Sequence, residues 1–93
     1  MNETKKAVIT VLGYDKRGII AKVSDVLYRN NANILDISQT VVSGLFNMVL
    51  IADIGAEDCD FGAISDELAA YGREINLQIR VQRSEIFEAM HQI

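Results

Sequence analysis

A chain of 93 residues, 49% hydrophobic and 24% charged with no proline, has the composition of one small folded domain and excludes a disordered segment. Its formal net charge of -4 leaves no basic footprint for a phosphate backbone, so nucleic acid is not an expected partner. One cysteine, Cys59, and one histidine, His91, exclude an internal disulfide and a zinc cage within a single chain, and no metal or other cofactor is expected. The N-terminal stretch lacks a signal-peptide pattern and no apolar run is long enough to span a bilayer, so the expectation is a cytosolic protein away from membranes.

In chain order, Ala7 to Leu12 is a β-branched run too continuous for an exposed strand and reads as a central one. From Ile19 the period changes: Ile19, Ile20, Val23, Val26 and Leu27 share one helical stripe, with Lys22, Asp25 and Arg29 opposite. Asp15 is placed to cap the start of that helix, and Asn30-Asn31 to end it. Asn33 to Val42 alternates, with Leu35, Ile37 and Val41 to one side and Asp36, Ser38 and Thr40 to the other, which predicts a half-exposed strand. Ser43-Gly44 turns it into a second strand, "LFNMVLIAD", in a hairpin. After an acidic loop, Asp58 or Asp60 caps a second helix in which Phe61, Ile64, Leu68 and Tyr71 recur at helical spacing, with Gly72 as its stop.

A fourth strand follows, alternating Leu77, Ile79 and Val81 with Gln78, Arg80 and Gln82. Ser84 then caps a short C-terminal helix over about 84–92, whose apolar edge is Ile86, Phe87, Met90 and Ile93. Two strand-helix-strand crossovers around a hairpin predict a ferredoxin-like βαββαβ sandwich in a single domain, 1–93, with its core over about 6–83. That architecture is a four-stranded antiparallel sheet with both long helices on one face. So small a core, with an apolar tail edge to cover, points to a homodimer.

The connection Gly13-Tyr14-Asp15-Lys16-Arg17-Gly18 carries more polar chemistry than a turn needs. At the start of a helix, unpaired N-H groups can receive a carboxylate. Gly18 permits close approach, Asp15 can accept from an ammonium, and Lys16 or Arg17 can hold a carboxylate. The plainer alternative is that the glycines let the chain turn and Asp15 is only a cap. Tyr14 can lid a pocket or lie at an interface, and Met48 and Met90 have core spacing. His91 reads as a surface residue. Cys59, among carboxylates, reads as an unreactive thiol.

The loop from Gly13 to Ile19, followed one helix later by Asn33-Ile34 and Asp36-Ile37, resembles the ACT domain, a small regulatory module attached to many enzymes of amino-acid metabolism. Together with "DISQTV" and "FNMVL", the tail is similar to a group of stand-alone bacterial and archaeal ACT proteins, kin in pattern to the modules of the glycine-cleavage repressor and formyltetrahydrofolate deformylase. The resemblance implies a non-catalytic dimer holding an amino acid at the subunit interface and answering to a regulated enzyme or regulator. It also implies contacts from Gly13, Asp15, Gly18 and Ile19 in the loop and from Asn33 with Ile34 on the second strand. Asp15 stands where some serine-binding members have an amide; a carboxylate there repels a ligand carboxylate and favours its ammonium end. The alternative is an interaction module that keeps the fold without a ligand.

Enzymatic and RNA-binding versions of the sandwich fit less well. Arg17 lacks the companion asparagine and general base of a phosphate-cleaving site. Thr10, Val11, Asn47 and Val49 stand where RNA-stacking aromatics would be.

Overall fold

The computed structural model describes residues 5–14 and 18–83. Asp15, Lys16 and Arg17 of the loop, and the expected C-terminal helix with Met90 and His91, lie outside the described residues. Six elements follow one another: β1 (Lys6–Gly13), α1 (Ile19–Arg29), β2 (Asn33–Val42), β3 (Leu45–Asp53), α2 (Phe61–Ile75) and β4 (Gln78–Arg83). They form one antiparallel sheet of order β2-β3-β1-β4. Alternation sends Ala7, Ile9 and Val11 of β1 and Phe46, Met48, Leu50 and Ala52 of β3 to the same face. Ile19, Val23, Val26 and Leu27 of α1 and Ile64 and Leu68 of α2 join them in a single core, which puts both helices on that face. This is the ferredoxin-like order the periodicity predicts. Thr10, Asn47 and Val49 lie on the open face, whereas Val11 turns toward the helices.

Local chemistry explains most of the boundaries. Asp60 caps α2, its Oδ1 accepting from the Ala63 N-H at 3.0 Å. Asn30 closes α1, and Asn31 continues into the left-handed region at φ 62. Ser43 and Gly44 both have positive φ, 53 and 80, between paired Val42 and Leu45, as the tightest hairpin turn of right-handed twist demands.

Three expectations are corrected. The N-cap of α1 is Gly18, at φ 75, which has no side chain to cap with. Between Ile34 and Asp36 the register shifts, so Leu35 is an extra residue, 47% exposed, and Ile34 joins Ile37 in packing on the core. A bulge of this kind inverts the simple alternation that the sequence suggests. Third, Gly72 does not stop α2, which runs to Ile75 and ends at Asn76, φ 61. Gly72 is needed because the returning chain presses on it: a Cβ there would lie 2.9 Å from the carbonyl oxygen of Leu77, whose N-H donates to the Gly72 carbonyl at 2.8 Å. A Cβ on Gly13 would run into the Leu77 side chain, so Leu77 fills a notch that two glycines leave open.

Outside the core, Arg29 ties the helices together. It donates from Nε to Asp25 and from Nη2 to Glu67 of α2, both at 2.9 Å, while the Asn30 amide reaches Glu67 at 3.3 Å. Among the described residues no helix is long and apolar enough to cross a membrane.

Candidate functional site

The loop expected to hold a ligand leaves the sheet at Gly13, which is buried under Leu77. Tyr14 stands in solvent, 79% exposed. Gly18 is exposed with open space around it, and its carbonyl accepts the Lys22 N-H at 2.9 Å. Ile19 is fully buried and anchors the helix start. Among the described residues no side chain caps α1 and none in its first turn is acidic, so within that set nothing offsets the donors and the positive dipole end at the helix start. By contrast, Asp60 occupies the same position on α2.

Asn33 begins β2 and is exposed, opposite Asp53 of β3, while Ile34 beside it packs on the core. The register decides which of these residues can meet. Gly13 pairs with Phe46, and Phe46 with Val41, at one end of the sheet. Lys6 pairs with Asp53, and Asp53 with Asn33, at the other. Seven steps of β1 separate the two ends, about 23 Å at ~3.3 Å per residue. Gly13, Gly18 and Ile19 are therefore brought together, and Asn33 of the same chain is kept apart from them.

At the Asn33 end lies a cleft of about 430 Å³ that the sequence reading missed, lined by Lys5, Ile54, Gly55, Ala56, Glu57, Cys59, Phe61 and Arg83. It forms because the first strand's start pairs with the last strand's end, Ala7 opposite Arg83. The Arg83 guanidinium sits 4.9 Å from the centre of the Phe61 ring. Burial, and then Asp58, Asp60 and Asp53, push the Cys59 thiol above its ordinary value, so at neutral pH it is protonated and a poor nucleophile. Among the described residues no His, Cys, Asp and Glu side chains group as a metal site.

The pattern of the ACT domain matches residues 5–82. A UPF0237 protein of Bifidobacterium longum is 51% identical over 88 residues, covering 95% of this chain and 98% of its own. An ACT domain protein from Streptococcus pneumoniae superposes with a TM-score of 0.76 at 40% identity, covering 92% of this chain and 97% of that one. A putative glycine cleavage system transcriptional repressor superposes with a TM-score of 0.74 at 22% identity over 88% of this chain and 47% of its own, a likeness of fold alone.

Proposed function

Because this chain belongs to the ACT-domain family, we propose that it is a non-catalytic regulatory module that binds an amino acid at the interface of a homodimer in the cytosol. The observation that carries the reading is the separation of the loop from Asn33 within one chain, set beside the character of the β2 edge. That edge is ten residues long with one charge, Asp36, and leaves Leu35, Val41 and Val42 exposed. It lacks the lysines and prolines that usually blunt an exposed strand. On α1 Ile20 is also exposed, and helical spacing sets it opposite Arg29, which contacts α2.

An antiparallel pairing of β2 with β2 of a second copy satisfies the edge and brings the partner's Asn33 to the end of the sheet where the loop lies. In that arrangement the N-H groups at the start of α1 receive the ligand carboxylate, Asp15 takes the ammonium, and the partner's Asn33 amide bridges the two. Lys16 and Arg17 favour a ligand with a second acidic group. Filling the site strengthens the pairing, and a regulated enzyme or regulator reads the difference.

The test is light scattering and calorimetry together. The expected results are a mass of two chains at micromolar concentration and saturable binding of at least one common amino acid, weakened about 5- to 100-fold by Asn33→Ala. A single-chain mass that no amino acid shifts refutes the proposal. One observation favours the alternative of a ligand-free interaction module: the packing of Leu77 accounts for Gly13 without a ligand. A dimer that binds none of the twenty amino acids at millimolar concentration decides for it.

A further inference from the structure

We infer that the opposite edge of the sheet, β4, is a docking edge for an extended acidic segment of a different protein, which adds to it as a fifth strand. Among the described residues β4 is bonded to β1 on one side only, so its alternate residues turn N-H and carbonyl groups outward. Its six residues carry Arg80 and Arg83 and no acid. A second copy of the same strand would bring more guanidinium groups to this edge and no acid to meet them, so like charges disfavour it.

Arg83 is already engaged over Phe61. Arg80, and Arg73 in the last turn of α2, have no ion-pair or hydrogen-bond partner among the described residues, in a chain whose net charge is -4. Arg80 on the open face and Arg73 at the rim of the helix face are cations without partners among the described residues of an acidic protein, and such groups select carboxylates.

The surface around them has the shape an added strand needs. A cleft of about 380 Å³ lies between α2 and the start of β4, with Gly72, Leu77 and Ile79 in its wall and Arg73 beside them. A second, of about 180 Å³, lies on the open face beside Thr10 and Leu12. Gln78 and Arg80 border both. Successive side chains of a docked strand point to opposite faces, one set into the cleft under α2, where Leu77 and Ile79 offer an apolar wall beside Arg73, and the other toward Arg80 on the open face. The segment that fits alternates small apolar and acidic residues. This edge does not depend on the amino-acid site, although it gives the regulatory reading a surface through which a partner can be held.

The probe is a pair of end-blocked hexapeptides, one alternating valine with glutamate and the other valine with lysine, titrated into the ¹⁵N-labelled full-length protein. The expected result is saturable shifting of the Gln78 to Gln82 amides by the glutamate peptide and none by the lysine peptide. Arg80→Gln should weaken binding about three- to tenfold, with Arg80→Lys retaining part of it, and Arg73→Gln, on the side of the apolar set, less than about threefold. Equal response to both peptides, shifts confined to β2, or no saturable shift at all overturns the inference; the last outcome assigns the edge to no partner or to the chain's own residues 84–93. Dimer mass and amino-acid binding are measured on the same samples, so this proposal and the previous one fail separately.

Discussion

The two edges of the sheet differ in every respect that matters to a neighbour. β2 is long and almost uncharged, and it exposes Leu35, Val41 and Val42. β4 is short, carries two arginines and is flanked by clefts. On the proposals above, the first edge takes a copy of itself and the second an acidic strand. Small ferredoxin-like sandwiches always have two open edges; here side-chain charge, not backbone geometry, distinguishes what each can accept.

The comparison is broken most severely through Leu77, which holds β4 in the notch between Gly13 and Gly72. Leu77→Ala should cost about 2 to 4 kcal/mol in urea unfolding and loosen β4, while β2 keeps its pairing by hydrogen exchange. Next in size is a charge on the uncharged edge. Leu35→Lys should shift the equilibrium by about tenfold or more toward single chains in light scattering, with a melting temperature little changed, whereas Gln78→Lys on the other edge leaves the mass as it was.

Asp60→Ala removes the cap of the helix that leads to β4 and should cost about 1 kcal/mol in thermal unfolding. Among the described residues α1 has no side-chain cap to lose. The smallest effect is a pH dependence between the two helices. Hydrogen bonds from Arg29, and then from Asn30, hold the Glu67 carboxyl below its usual range. The folded form binds the proton less readily than the unfolded form, so this stabilisation is present above the ordinary glutamate value and fades as pH falls through the lowered one. Glu67→Gln should flatten that part of the stability profile, read as melting temperature against pH. The pair is exposed, so the change is slight.

Much of this architecture is legible in the sequence. The apolar runs, the change of period at Ile19, the Asn30-Asn31 and Ser43-Gly44 corners and the alternation from Leu77 to Gln82 are local signals, and each marks its element. Leu35 misleads because three apolar residues among Ile34 to Ile37 allow two alternations, and only pairing with β3 chooses between them. Gly72 misleads for a similar reason: near the end of an apolar stripe it reads as a stop, and the pressure of the Leu77 carbonyl is a tertiary event. For the site, the helix start at Ile19 can be picked out in advance, whereas the sequence puts the cap on Asp15 and the N-cap is Gly18. The distance from the loop to Asn33 cannot be read in advance, because it depends on register. Arg73 and Arg80 become neighbours only once the chain reverses at Asn76.

The two-residue turn at Ser43-Gly44 also has a bearing on how the chain reaches this state. β2 and β3 are joined by the shortest connection in the sheet, a hairpin of the kind that closes in about 1 to 10 μs. The pairing of β1 with β4 instead joins Ala7 to Arg83, 76 positions along the chain, and carries the full entropy of closing that loop. The physical expectation is a folding nucleus on the β2 side and a late clasp on the β4 side. Substitutions at the turn should then slow refolding, while Leu77→Ala should chiefly speed unfolding, a difference that stopped-flow chevrons would display.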